Sequence, residues 1–168
     1  MRRVVVTGMG AITAFGRDWK AVQSGFRQGK NAVVKMDWQE RFPELEACLG
    51  APVAGYRPPE HWTRKQLRSM GRGTQMAVDA AEQALADAGL LGDEKIRDGR
   101  MGVAAGSSVG STADVGVMGD LVLHGNSRQF NANTYVRMMP HTIAANIGIF
   151  FGLTGRIIPT SSACSSGS

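Results

Sequence analysis

Cys164 sits in a run of small residues, Thr160-Ser-Ser-Ala-Cys164-Ser-Ser-Gly-Ser168, and is the side chain best placed for nucleophilic chemistry. Small neighbours leave space around the sulfur, and a helix starting there would aim backbone N–H groups at it and favour the thiolate. The same groups could form half of an oxyanion hole. The plainer reading of any cysteine is a small buried hydrophobe, but a strand feeding a small-residue turn favours the nucleophile. Cys48 lies in a polar, proline-flanked stretch and has no such surroundings. A hydrolase elbow, Gly-x-Ser-x-Gly, is a poor alternative because Ser162-Ala-Cys164-Ser-Ser166 lacks both glycines.

A second set of residues could recognise charge. Arg57, Arg64, Lys65, Arg68 and Arg72 fall within one short stretch against Glu60 alone. Arg64 and Arg68 are four apart with Lys65 beside them, so a helix puts all three on one side. The bland reading is a solvated helix face; little local neutralisation argues for an anionic partner.

Two glycine motifs imitate phosphate loops without completing them. Gly8-Met-Gly10-Ala-Ile-Thr13 follows a strand-like run, but Thr13 replaces the third glycine of a dinucleotide fingerprint. Gly106-Ser-Ser-Val-Gly110-Ser-Thr is one residue short of a phosphate loop and lacks the lysine. Both read as structural turns. His61, His124 and His141 are scattered, and with two cysteines they give no metal-ligand spacing.

The elements that must hold these residues follow from periodicity. Arg3 to Thr7 is a β-branched run ended by Gly8 and Gly10, which predicts a buried strand. Asp18 is a cap for a helix to about Arg27 with Gly29 as its stop, and a short strand fits Ala32 to Lys35. Residues 36–62 hold four prolines (Pro43, Pro52, Pro58, Pro59) and read as an irregular excursion. A helical pattern starts at Thr63. Met76, Ala77, Ala80, Ala81, Ala84, Leu85 and Ala88 form one small-residue face ended by Gly89, which suits a buried central helix. Met101 to Ala105 reads as a strand, Thr112 to Leu123 as a helix and 124–133 as a loop. Pro140 to Phe151 is a second apolar helix, and a last strand begins at Ile157. Alternating strands and helices predict an α/β layered fold.

Composition sets the class. The chain has 168 residues, 43% hydrophobic and 20% charged, as in ordinary globular domains. No apolar run reaches the length needed to span a bilayer, and the basic-then-apolar start is too short for a signal peptide. Two cysteines make no disulfide framework, and a reducing cytoplasm is the simplest compartment. A net charge of +5 favours an acidic partner. Nucleic acid is disfavoured because the aromatic and basic motifs of RNA-binding modules are missing.

Four stretches in one order carry a resemblance: Arg3-Val-Val-Val-Thr-Gly-Met-Gly10, Ala86-Asp-Ala-Gly-Leu90, Gly102-Val-Ala-Ala-Gly-Ser-Ser108 and Thr160-Ser-Ser-Ala-Cys164-Ser-Ser-Gly167. Together they resemble a β-ketoacyl-(acyl carrier protein) synthase of the thiolase superfamily, over essentially the whole chain. Thr134-Tyr-Val-Arg-Met-Met-Pro-His-Thr142 and the stretch from Arg156 to Cys164 resemble most the branch found in aryl-polyene gene clusters. The resemblance implies a thiolase-like layered fold of two duplicated halves, with residues 1–168 as the N-terminal half. It implies that Cys164 starts a buried helix and takes an acyl group as a thioester. Malonyl carrier protein then loses CO₂, and its carbanion attacks that thioester. Two histidines, a lysine and the second oxyanion N–H belong to the other half in the family, and His61, His124 and His141 do not match them. Condensation by these 168 residues alone is therefore not expected.

The resemblance also implies partners. The acyl group and phosphopantetheine arrive on an acyl carrier protein, so no cofactor and no metal are expected. Arg64, Lys65 and Arg68 match the family's positive docking patch. Gly71 stands where many relatives are acidic, and Arg156 stands in place of a usual proline. Val109 and Thr134 match positions that line the acyl tunnel near the dimer twofold. The assembly implied is a homodimer, or a heterodimer with a paralogous ketosynthase or chain-length-factor subunit. Two alternatives stay open: a non-catalytic acyl- or carrier-protein-binding module with a structural Cys164, and another thiolase-superfamily acyltransferase.

Overall fold

The computed structural model describes residues 3–168. Helices α1 (Trp19–Arg27), α2 (Trp38–Arg41), α3 (Arg64–Leu67), α4 (Arg72–Asp87), α5 (Thr112–His124), α6 (Ala132–Met138) and α7 (Thr142–Phe151) alternate with strands β1 (Val34–Lys35), β2 (Leu49–Gly50), β3 (Val103–Gly106) and β4 (Ile157–Thr160). Strands β3 and β4 are parallel, with Val103 opposite Ile157 and Gly106 opposite Thr160. The connection between them runs through α5, α6 and α7, the crossover that parallel pairing requires.

The core lies where α4 packs on α7 and α7 packs on β3. Trp62, Met70, Val78, Ile96, Ile147 and Phe151 are buried there, with Ala77, Ala81, Leu85, Val103 and Ala105 around them. Helix α7 is almost wholly apolar (TIAANIGIFF), as expected of a helix with neighbours on several sides. The expected alanine face of α4 is confirmed in its purpose. A Cβ on Gly8 would lie 2.2 Å from the Ala84 carbonyl oxygen, and one on Gly10 would lie 2.0 Å from that of Ala80. Two glycines and a stripe of alanines thus let a chain segment lie directly against the helix.

That segment is not the expected strand. Residues 3–10 form no ladder, and Val4, Val5 and Val6 are exposed rather than buried. Their β-branched chemistry stabilises a strand only beside a paired neighbour. Here an apolar cavity of about 250 Å³, lined by Thr7, Gly8, Met101, Gly102 and Val103 among others, lies between the segment and β3. The segment is anchored instead through side chains: its Met9 N–H donates to Asp87 Oδ2 at 3.0 Å.

Other boundaries shift. The proline-rich stretch is not wholly irregular, because it contains α2 and the strand β2, which pairs antiparallel with β1. Helix α6 occupies residues expected to be part loop; Asn131 caps it, accepting from the Thr134 N–H at 3.2 Å. The helical stretch from Thr63 is broken into α3 and α4 at Gly71, which caps α4. A Cβ there would come 2.5 Å from that of Ser111, so the break is where the chain passes closest to the start of α5.

Candidate active site

The Cys164 turn begins where β4 ends. Thr160 closes the strand, and its hydroxyl donates to the Ser166 carbonyl at 2.5 Å. Ser166 is buried and knits the turn: its hydroxyl accepts from the Ser162 N–H at 2.9 Å and donates to the Ala163 carbonyl at 2.6 Å. Ala163 has φ +50°, the one non-glycine residue with positive φ among those described. That conformation is costly for an L-residue with a side chain and marks a sharp turn at the nucleophile candidate.

Cys164 itself is exposed and free. The expected helix starting there is not formed. Residues 161–168 form a tight turn with an isolated bridge between Ser162 and Cys164, closed by Ser165 N–H to the Ser162 carbonyl at 3.1 Å and Ser166 N–H to the Ala163 carbonyl at 3.2 Å. The hydrogen bonds that close this turn come from the N–H groups of Ser162, Ser165 and Ser166.

The same end of the neighbouring parallel strand supports this turn. A Cβ on Gly106 would lie 1.7 Å from the Ser166 carbonyl oxygen, so only glycine lets the end of β3 approach the turn this closely. The false phosphate loop beginning at Gly106 is therefore a packing surface for the Cys164 turn.

The cationic residues are placed as the spacing predicted. Thr63 and Gln66 form a reciprocal capping box at the start of α3, with the Thr63 N–H donating to Gln66 Oε1 at 2.8 Å. Arg68 continues the helical turn as its C-cap, at φ −59°, ψ −35°. Arg64, Lys65 and Arg68 are exposed, and among the described residues none of them lies in an ion pair. Arg72 is different. Its guanidinium donates to the carbonyls of Val53 and Tyr56 at 2.5 and 3.3 Å and lies 5.6 Å from the Tyr56 ring centre. It holds the 53–56 loop instead of facing solvent for a partner. Tyr56 is enclosed there; burial first, then the Asp79 carboxylate, pushes its phenol well above the ordinary value against the opposing pull of Arg17 and Arg72.

The two acyl-pocket candidates occupy different settings. Val109 is about 39% exposed on the loop after β3, whereas Thr134 is 1% exposed. The Thr134 hydroxyl accepts from the Asn131 N–H and donates to the Gln129 carbonyl, each at 3.3 Å. It closes the N-terminus of α6, and neither residue lines the cavity beside the N-terminal segment.

Sequence reading missed a side-chain pair between them. Asp114, near the start of α5, accepts from Arg137 of α6 through Nε at 3.0 Å and Nη2 at 2.6 Å. Burial opposes ionisation of Asp114, but hydrogen bonds from Arg137 and Ser111 outweigh it and hold the carboxyl below its usual range. Twenty-three residues separate the partners, so no local pattern announces them. Among the described residues no cluster of three or more His, Cys, Asp or Glu could hold a metal, and no helix is long and apolar enough to cross a membrane.

Comparison with known proteins fits this geometry. Residues 1–168 match the family described as "Beta-ketoacyl synthase, N-terminal domain". The chain belongs to the β-ketoacyl synthase family. A crystal structure of a β-ketoacyl synthase from Burkholderia phymatum STM815 superposes on this ketosynthase domain with a TM-score of 0.91 and 49% identity, covering 99% of this chain and 41% of that one. The domain is 33% identical over 166 residues to nodulation protein E of Rhizobium meliloti (strain 1021), which is 98% of this chain and 40% of that protein. It is 28% identical over 166 residues to 3-oxoacyl-[acyl-carrier-protein] synthase 2 of Staphylococcus aureus (strain COL), 99% of this chain and 40% of that one. The ketosynthase domain thus spans about 40% of the length of the relatives it matches, and the thiolase-like α/β fold expected from the sequence is confirmed.

Proposed function

We propose that the ketosynthase domain carries the acyl-accepting nucleophile of a 3-oxoacyl-(acyl carrier protein) synthase, and that Cys164 is that nucleophile. The observation that carries the reading is the Cys164 turn. An exposed thiol follows a strand end and a residue held at φ +50°, on a turn fixed by a buried serine. Attack by the thiolate on a carrier-borne thioester forms the new sulfur–carbonyl bond and expels the phosphopantetheine thiol, which takes up a proton. In this reading the Cys164 N–H donates to the tetrahedral oxyanion that precedes the expulsion. Decarboxylation of malonyl carrier protein and attack of its carbanion on that thioester complete the reaction, with groups that family members carry outside the part matched here.

The exposed, unpaired cations of α3 support docking of an acidic acyl carrier protein, with Arg64, Lys65 and Arg68 as its first contacts. Val109 and Thr134 are the proposed boundary of the acyl tunnel, with Thr134 acting by shaping α6. The pathway, fatty-acid or aryl-polyene, and the homodimer or ketosynthase/chain-length-factor assembly belong to this proposal, as does a cytoplasmic setting. In the full-length enzyme, Cys164→Ala should abolish condensation of an acyl group with malonyl carrier protein, measured by product mass. Undiminished condensation by that variant would remove the assignment. A second reading, a carrier-binding module without catalysis, draws on the same free cations; it expects binding that weakens with salt and no adduct on Cys164.

A further inference from the structure

We infer that Arg137 is a positioning residue for the docking cation Arg68, an inference that rests on the carrier-docking reading of α3. Helix α3 has four residues, too few to hold its own geometry, so its direction depends on what grips its ends. The Thr63–Gln66 box grips the first. At the other, Arg137 Nη1 donates to the Arg68 carbonyl at 3.3 Å, and Ser69 is tied to the buried Asn146 of α7 by a hydroxyl-to-Oδ1 bond of 2.6 Å.

Arg137 is itself immobilised. Its Nε and Nη2 are spent on Asp114, which is 7% exposed, leaving Nη1 as the group that reaches α3. The Arg137 carbonyl also accepts from the Ser111 N–H at 2.8 Å, and the Met138 carbonyl accepts from the Gly110 N–H at 3.1 Å. Gly71, three residues past Arg68, closes against Ser111 on the other side. Three chain segments meet here: the end of α3, the start of α5 and the end of α6. Among the described residues, the planar guanidinium is the one side chain at this junction that bonds two of them while belonging to the third. A lysine could keep the ion pair with Asp114, but its single ammonium lacks the fixed fork that serves both partners at once.

The junction also joins the two proposed functional regions. Arg137 lies one helical turn after Thr134 on α6, and Ser111 lies two residues after Val109. Arg137 therefore sets where the docking cation stands relative to the elements proposed to bound the acyl tunnel, while its own charge is neutralised by Asp114.

The test is steady-state kinetics of the full-length enzyme with an acyl group presented on acyl carrier protein and, separately, on N-acetylcysteamine. Arg137→Lys should raise KM for the carrier-borne substrate by about fivefold, the loss expected for one hydrogen bond of ordinary strength. It should leave kcat and the KM of the small thioester as they are, and keep the melting temperature closer to the parent than Arg137→Gln does. A parallel rise in both KM values, or no rise in the carrier KM, would overturn the inference. Arg68→Glu separates the two levels. If it raises the carrier KM and Arg137→Lys does not, the positioning role fails alone; if Arg68→Glu also has no effect, the docking reading fails and takes this inference with it.

Discussion

Ala163 is held at φ +50° by bonds that converge on Ser166, so strain at the Cys164 turn is balanced by a single buried hydroxyl. Two outcomes follow at this scale. Ala163→Gly should raise stability by about 0.5–1 kcal/mol, because glycine accepts positive φ without the Cβ clash; a melting curve reads this. Ser166→Ala removes the acceptor of the Ser162 N–H and the donor to the Ala163 carbonyl, and should cost about 2 kcal/mol while slowing acylation of Cys164. The Asp114–Arg137 pair adds a pH dependence. The Asp114 carboxyl is held below its unfolded value, so the folded state binds that proton less readily than the unfolded one. Its stabilisation is complete above the unfolded carboxylate value of about 3.9 and is lost as pH falls through the lower folded one. Asp114→Asn should therefore flatten the acid limb of the stability profile, measured by urea unfolding between about pH 2 and 5. An unchanged acid limb in that variant would contradict the assigned ion pair.

Element by element, the sequence was most readable where a residue type has one common structural use. Alanines repeated along residues 76–88 predicted a helix built for close approach, and Gly8 and Gly10 lie against it. Gly10→Ala should be destabilising by about 2–3 kcal/mol, because the new methyl would meet backbone, which cannot rotate aside; denaturant unfolding reads it. Arg64, Lys65 and Arg68 were legible through their four-residue spacing, and the break at Gly71 leaves them on one short helix. The loss of carrier affinity between low and physiological salt should be steeper for the parent than for Arg68→Glu. Less was legible where structure depends on partners far along the chain. Strand β2 has two residues, too short for any alternation to show, whereas the equally short β1 falls within the strand expected at Ala32 to Lys35. Helix α6 carried a signal that went unused, since Asn131-x-x-Thr134 is a helix-start spacing. The pair Asp114–Arg137 carried none. Arg72 reads as part of the cationic cluster by sequence, yet its hydrogen bonds go to loop carbonyls.

On the scale of the whole molecule, α7 packs on the β3–β4 sheet and leaves much of the sheet open. Ala104, Gly106 and all four residues of β4 are exposed, as are Val4, Val5 and Val6. The β-branched run at residues 3–7 could not reveal this, because a buried strand and an extended segment without a neighbour have the same composition. The Cys164 turn opens from the same end of the sheet, at the carboxyl ends of two parallel strands, where open α/β sheets place their ligands. The measurement that tests the account most directly is the intact mass of the full-length enzyme after incubation with an acyl carrier protein bearing a defined acyl group, followed by peptide mapping. The account predicts a mass increase equal to that acyl group, carried by the peptide containing Cys164 and absent from Cys164→Ala. An unmodified protein, or an adduct that survives in Cys164→Ala, would contradict it.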